Sequence, residues 1–250
     1  MAVKVSGRVD VGRLVKTPDF QEAQDLAMST VDNCGISVFD GAPGLGKTVA
    51  ACSFQATVED RQAVYLAAAG RPSVTALARS MAEQLTGIAD LQNEMLYSVR
   101  ETLHEVLWAD NHPLVIIDEA QRLSVDHFEF LRDLHDDKRS SFPLLLVGND
   151  DAWRVISQRP MLQKRIWHRL HFEPLATSDV GRFLPRYDGV YATASDQVLS
   201  RVADLSGGEF RWLAMFTALA HQVMERAGAE TLDDTIVSAV LLRMARSAGG

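Results

Sequence analysis

The chain has 250 residues, 47% of them hydrophobic and 23% charged, with a formal net charge of −8. This composition excludes a disordered or fibrous chain, and the length allows one sizeable core with a small second domain. The negative net charge makes the whole molecule a poor general binder of nucleic acid unless a local basic patch exists. Two cysteines, no apolar run long enough to span a membrane and no visible leader segment predict a cytoplasmic protein without membrane contact.

The chain opens with residues 1–18, which are predicted to form a polar arm. Its basic residues outnumber its one acidic residue, Asp10; they are Lys4, Arg8, Arg13 and Lys16. Thr17 and Pro18 then mark a helix start, with Thr17 as the cap and Pro18 in the first turn. Apolar residues follow at helical spacing until Asn33-Cys34-Gly35 ends the helix.

Short apolar runs and amphipathic stretches alternate through the next part of the chain. Residues 36–39, 63–67, 114–117 and 144–147 are candidate buried strands, and stripes of apolar residues between them predict helices. Buried strands separated by helices predict an α/β fold with a parallel sheet. After about Pro174 only helical stripes occur, the first of them Val198, Val202 and Leu205. We therefore expect a core over residues 19–174 and a small all-helical domain over residues 175–250.

A glycine-rich loop follows the first candidate strand and precedes a helix. It reads Gly41-Ala42-Pro43-Gly44-Leu45-Gly46-Lys47-Thr48 and fits the phosphate-loop pattern G-x-x-x-x-G-K-[ST]. Its glycines allow backbone N–H groups to cradle phosphates, and the helix that follows adds its positive dipole end. The pattern predicts that the whole loop binds ATP, that Lys47 reaches the β- and γ-phosphates, and that the Thr48 hydroxyl binds Mg²⁺.

Polar side chains follow two further candidate strands. Asp118 and Glu119 come directly after residues 114–117, where ligands of parallel sheets collect. Asp118 is the expected Mg²⁺ partner through water, and Glu119 is the expected base for the attacking water. The alternative is a surface acidic pair that caps the next helix. Asn149 follows the last candidate strand and is predicted to orient the water, although Gly-Asn-Asp is also an ordinary turn.

Arginines near the end of the core and in the helical domain are further candidates. In an oligomeric ATPase, an arginine from one subunit can stabilise transition-state charge in its neighbour's site. Arg165 is the first choice for that role, with Arg159 and Arg169 as alternatives, and a solvated basic face is the simpler explanation. Arg211, which opens a helix after a Gly-Gly turn, is expected to reach the γ-phosphate; otherwise it is an exposed residue after a helix cap.

The order of these motifs resembles that of the AAA+ ATPases, and the resemblance covers about residues 19–246. It implies a five-stranded parallel sheet, a small helical lid and a nucleotide site at a subunit interface. Within AAA+, residues 40–51, 114–123 and 144–175 are similar to the transposition ATPases of the TnsC, TniB and MuB type. That similarity implies a homo-oligomer, either filament or ring, that assembles with ATP on duplex DNA and delivers target DNA to a transposase.

The same resemblance places the segments after the second strand at a central channel. They contain Arg71, Arg79 and Thr86, which are therefore candidate contacts to DNA phosphates with little sequence preference. The alternative is that both arginines are solvated helix residues.

Three other functions share parts of this pattern. A helicase loader or replication initiator of the same branch carries almost all of the motifs. A small-molecule kinase is less well matched, since Asp118-Glu119 favours water as the acceptor. An ATP-gated scaffold with negligible turnover is a third possibility, whereas a superfamily helicase would need a second ATPase core that this length does not hold.

Overall fold

The computed structural model describes residues 14–58, 61–68, 70–88, 91, 93–108 and 112–248. The predicted basic arm lies outside the described residues up to position 13. Thr17 and Pro18 are described, and the first helix begins at Pro18 and ends at Asp32, as the sequence predicts.

A five-stranded parallel sheet forms the centre of the larger unit, which confirms the predicted α/β fold. The spatial order of the strands is β2-β3-β4-β1-β5. Their bounds are Ile36–Gly41 (β1), Ala63–Ala67 (β2), Leu114–Asp118 (β3), Leu144–Val147 (β4) and Ile166–Phe172 (β5). β1, β3 and β4 are buried along their whole length, because helices cover both faces of the sheet.

The fifth strand is the one that no apolar run indicated. Only Leu170 and Phe172 are buried in β5, while Trp167 is 55% exposed. The side chains of Trp167, Arg169 and His171 are exposed, and polar residues interrupt the apolar ones, so β5 has no continuous apolar run.

Seven helices surround this sheet in the described part of the larger unit. Three of them carry the stripes read from the sequence, namely those beginning at Pro18, Val74 and Leu96. The helix at Val74 begins after Ser73, whose hydroxyl accepts a hydrogen bond from the Ala76 N–H at 3.1 Å. The seven are α1 (Pro18–Asp32), α2 (Lys47–Gln55), α3 (Val74–Thr86), α4 (Leu96–Leu107), α5 (Val125–Asp136), α6 (Asp150–Ser157) and α7 (Pro160–Gln163).

Sheet order decides where the functional loops lie. β1 has β4 on one side and β5 on the other, and all the strands run in the same direction. The carboxyl ends of β1, β3 and β4 therefore share one edge of the sheet, where ligands of α/β folds bind. Gly41 ends β1 at φ 129° against Phe172, and a Cβ atom there would overlap the Phe172 carbonyl oxygen. Only glycine fits at this point.

The chain divides into two compact units, the larger holding Pro18–Pro43 and Lys47–Phe172 and the smaller holding Gly44–Gly46 and Glu173–Gly250. The described part of the smaller unit is helical: α8 (Thr177–Tyr187), α9 (Asp196–Ser206), α10 (Phe210–Ala227) and α11 (Asp234–Ala248). The helical stripes expected here are largely buried, with one exception. Leu205 is 42% exposed, whereas its neighbour Ser206 is buried, and the Ser206 hydroxyl donates to the Ala203 carbonyl and accepts from the Gly208 N–H.

No helix among the described residues is both long enough and apolar enough to cross a membrane.

Candidate nucleotide site

The phosphate loop connects the buried end of β1 to the first turn of α2, as its sequence predicts. Lys47 is only 8% exposed, and its ammonium donates to the carbonyl oxygens of Gly41 at 2.8 Å and Ala42 at 2.6 Å. Burial lowers the pKa of Lys47, while the carboxylate of Asp118 opposes that shift. Gly44 and Gly46 have φ values of 90° and 95°, which a residue with a side chain rarely adopts. The loop thus holds the buried Lys47 ammonium on two backbone carbonyl oxygens, and its glycines adopt backbone angles that other residues rarely adopt.

The Thr48 hydroxyl meets Asp118 across the sheet edge. Thr48 Oγ1 donates to Asp118 Oδ2 at 2.8 Å, although 70 residues separate the two in sequence. The Glu119 N–H donates to Asp118 Oδ1 at 2.7 Å, so both carboxylate oxygens accept hydrogen bonds. Hydroxyl and carboxylate oxygens are the ligand types that Mg²⁺ prefers, and the pair is therefore suited to hold it.

Tyr65 on β2 also donates its hydroxyl to Asp118 Oδ2, a contact that the sequence did not reveal. Burial, with Asp118 nearby, raises the pKa of the Tyr65 hydroxyl far above its usual value, so the group stays protonated and remains a donor. The only indication of this contact in the sequence is a tyrosine within an apolar strand. The pairing of β2 with β3, in which Ala67 lies opposite Asp118, brings the Tyr65 hydroxyl to that carboxylate.

Glu119 adopts a left-handed backbone conformation, with φ 59° and ψ 35°, at the start of a short turn over Ala120–Arg122. Its carboxylate accepts from Gln121 Nε2 at 2.8 Å and lies 3.3 Å from Arg122 Nε. The side chain is 44% exposed, which leaves it accessible to water. Glu119 makes no capping hydrogen bond, and α5 begins after Ser124; the acidic pair is therefore not a cap for that helix.

Asn149 is the residue before α6, and its amide oxygen accepts from the Asp151 N–H at 2.9 Å. Its own N–H donates to Gln121 Oε1 at 3.1 Å. Gln121 therefore connects Glu119 to Asn149, a role that sequence reasoning missed. Gly148 permits this approach, because a Cβ there would lie 2.9 Å from the same Gln121 oxygen.

The structure separates the three candidate arginines. Arg165 precedes β5 at the amino end of the strands, opposite the phosphate-loop edge, and its Nε lies 2.9 Å from Asp136. Arg159 is exposed just before α7. Arg169 binds buried Asp40 of its own chain through two hydrogen bonds of 2.8 Å. That pairing argues against Arg169 as an arginine supplied to a neighbour.

Arg211 is the second residue of α10 and is exposed. Within the smaller unit, which includes Gly44–Gly46, its backbone N–H donates to the Gly44 carbonyl at 3.2 Å. The expected contact of its guanidinium with a γ-phosphate stays a prediction.

The three candidate DNA residues lie at different positions before and along α3. Arg71 lies before α3, Arg79 in its middle, and Thr86 at its end. The Arg79 Nε donates to the Glu94 carbonyl at 3.1 Å, and the Thr86 hydroxyl donates to the Ala82 carbonyl at 2.7 Å. Thr86 therefore closes its own helix, and of the three only Arg71 has an exposed side chain.

A phosphate loop after the interior strand β1, with a carboxylate at the end of the parallel strand β3, defines a P-loop nucleotide-binding domain. The family model described as "AAA domain" matches residues 30–156, more than half of the chain. The chain therefore belongs to this AAA family. No curated protein matches the chain.

Several solved structures share the fold. The Aeropyrum pernix ORC2 protein has a TM-score of 0.71 at 18% identity, over 89% of this chain and 67% of that one. The Aeropyrum pernix ORC1 protein in complex with DNA has a TM-score of 0.73 at 17% identity, over 92% and 66%. A Thermotoga maritima RuvB mutant has a TM-score of 0.63 at 16% identity, over 92% and 71%. The chain thus spans about two thirds of the length of these proteins, and the likeness concerns the fold.

Proposed function

We propose that this protein hydrolyses ATP to ADP and phosphate and does so as an oligomer assembled on duplex DNA. The observation that carries the ATPase proposal is the contact of Thr48 with Asp118 at 2.8 Å beside the buried ammonium of Lys47. Binding a triphosphate with its metal ion requires a cation beside the phosphates and a hydroxyl and a carboxylate as metal ligands. Lys47, Thr48 and Asp118 supply these groups.

Each residue of the proposed site has a distinct task. Lys47 neutralises charge on the β- and γ-phosphates, and Thr48 and Asp118 hold Mg²⁺, which supplies further neutralisation when bound. Glu119 accepts a proton from the attacking water, and Asn149 orients that water. Gln121 fixes Glu119 and Asn149 relative to each other, because its side-chain amide donates to the Glu119 carboxylate and accepts from the Asn149 N–H.

For the function on DNA, we propose a replication-initiator or helicase-loader type of ATPase. Its support is the shared fold with ORC proteins, of which one was solved in complex with DNA. Delivery of target DNA to a transposase is the second candidate. It is supported by the sequence similarity of residues 40–51, 114–123 and 144–175 to transposition ATPases, and no structural neighbour among those described supports it.

Phosphate release tests the enzyme class. We expect release from ATP without any added acceptor substrate, and stimulation by duplex DNA. A requirement for a small-molecule acceptor would indicate a kinase instead. Nucleotide-dependent assembly without measurable release would indicate an ATP-gated scaffold.

Electron microscopy with duplex DNA and a non-hydrolysable ATP analogue tests the choice between the two DNA functions. Discrete rings or short assemblies are expected of an initiator or loader, and long continuous filaments of a transposition regulator. Binding should weaken steeply with salt, because phosphate contacts release counterions. Arg71→Ala should reduce that salt dependence, whereas Arg79→Ala should change it less, since Arg79 bonds to the Glu94 carbonyl.

A further inference from the structure

Asp40, the residue immediately before Gly41 of the phosphate loop, is a fully buried carboxylate. Its side chain has 0% exposure and lies between two groups on β5. Arg169 donates from Nε to Oδ1 and from Nη2 to Oδ2, both at 2.8 Å, and His171 Nδ1 lies 2.9 Å from Oδ2. A buried carboxylate is stable only when it is paired and hydrogen-bonded, and the two-point Arg169 contact also fixes its orientation.

The same arginine contacts α6. The Arg169 guanidinium carbon lies 4.2 Å from the centroid of the Trp153 ring. Trp153 is in the first turn of the helix that Asn149 caps. Arg169 thus touches both the strand that leads into the phosphate loop and the helix that starts at the water-orienting residue.

We infer that Arg169 is a positioning residue for hydrolysis, which fixes Asn149 and the start of α6 relative to the phosphate loop. The inference rests on the proposed ATPase function. Arg169 acts through its contacts with Asp40 and Trp153 of its own subunit. Its role therefore differs from the one proposed for Arg165, which serves a neighbouring subunit.

A cation site at the same cluster is the competing idea. Oxygen and nitrogen atoms of Asp40, Asp150 and His171 lie within 4.8 Å of one another, as metal ligands would. Arg169 already occupies both oxygens of Asp40, so a cation would have to displace a guanidinium from a buried carboxylate. The observed hydrogen bonds favour the arginine.

Arg169→Lys is the first test, because lysine keeps the charge but loses the two-point contact and the flat stacking surface. We expect nucleotide affinity and KM to stay within about twofold of the wild-type values. The kcat should fall about tenfold or more, because a small misplacement of reacting groups slows the chemical step. Arg139→Lys is the matched control, since Arg139 also pairs with two carboxylates, Glu101 and Asp137, away from this cluster. Unchanged kcat in the folded Arg169→Lys protein would overturn the inference.

Trp153→Leu is the second variant and leaves the Asp40–Arg169 pair intact. It should lower kcat in the same selective way, by a smaller factor. Equal losses in nucleotide affinity and kcat, for either variant, would indicate a general structural role and reject a positioning role.

Mixing variants distinguishes action within a subunit from action on a neighbour. Arg169→Lys mixed with Glu119→Gln should not regain activity, because no subunit in the mixture has both Glu119 and Arg169. Recovered activity would assign Arg169 to the neighbour's site and overturn the inference. Absence of hydrolysis by the wild-type protein would instead reject the proposed function itself, so the two failures are distinguishable.

Discussion

At the scale of single residues, the Lys47 ammonium is almost fully buried and donates hydrogen bonds to the carbonyl oxygens of Gly41 and Ala42. A buried cation at this point stabilises an anionic ligand strongly, because little water screens it. Lys47→Ala should therefore lower ATP affinity by about 100-fold or more, the equivalent of about 3 kcal/mol. Binding of a fluorescent ATP analogue measures this.

The control for that measurement is Lys138→Ala, which removes an exposed lysine after α5 and should leave affinity unchanged. Equal affinity in the Lys47→Ala and wild-type proteins would contradict the assignment of the phosphate loop.

Glu119 supplies the second residue-scale prediction. Glu119→Gln keeps the size of the side chain but cannot accept a proton, so ATP should bind as in the wild type while hydrolysis falls about 100-fold or more. Steady-state phosphate release and nucleotide binding, measured on the same protein, test this. Hydrolysis at the wild-type rate would remove Glu119 from the role of base.

At the scale of elements, β1 and β5 are joined by the charged pair of Asp40 and Arg169. Burial alone would raise the pKa of Asp40, but hydrogen bonds from Arg169 and His171 outweigh it and hold that pKa below its usual value. A carboxyl group whose pKa is lower in the folded than in the unfolded protein stabilises the fold at pH values above the unfolded-state pKa. This stabilisation is lost as the pH falls through the folded-state pKa. The free energy of unfolding should therefore decrease from about pH 5 downwards.

Asp40→Asn tests this dependence by urea unfolding over a pH series. The variant should be about 1–3 kcal/mol less stable at pH 7, since Arg169 loses its charged partner, and should lose less stability on acidification. Asp179→Asn, which alters an exposed ion pair with Arg182, is the control and should behave as the wild type does. Parallel acid profiles for Asp40→Asn and wild type would contradict the prediction.

At the scale of the whole molecule, we propose that a second subunit completes the active site. The phosphate-loop residues, Asp118, Glu119 and Asn149 lie at the carboxyl edge of the sheet, whereas Arg165 precedes β5 at the amino edge. Arg165 is therefore badly placed to reach its own nucleotide. An arginine supplied by a neighbour is worth on the order of 10³–10⁵ in rate.

Arg165→Ala should bind ATP normally and hydrolyse it poorly. Mixed with Glu119→Gln, it should regain activity, because some junctions then combine an intact Glu119 with an intact Arg165 from the neighbour. If the mixture assembles but stays inactive, Arg165 does not serve the neighbouring site, and exposed Arg159 is the next residue to test.

Much of the fold could be predicted from local patterns. The interior strands β1, β3 and β4 are continuous apolar runs because helices cover both faces of the sheet, and α3 and α4 carry clear apolar stripes. β5 was not predicted from its residues, since exposed and polar side chains such as Arg169 and His171 interrupt its apolar residues. Leu205 belongs to an apolar stripe but is 42% exposed, because the stripe does not fix which residue of the last helical turn packs inward; the neighbouring Ser206 is the buried one.

The sequence by itself determined the phosphate loop and the Asp118-Glu119 pair, because each depends on neighbouring residues with a required spacing. Tertiary structure alone decided which side chains complete the site. Tyr65 reaches Asp118 through strand pairing, Gln121 joins Glu119 to Asn149, and Arg169 meets Asp40 across 129 positions of sequence. Such contacts depend on the order and register of strands, which no local pattern encodes, and so they became visible only in the folded chain.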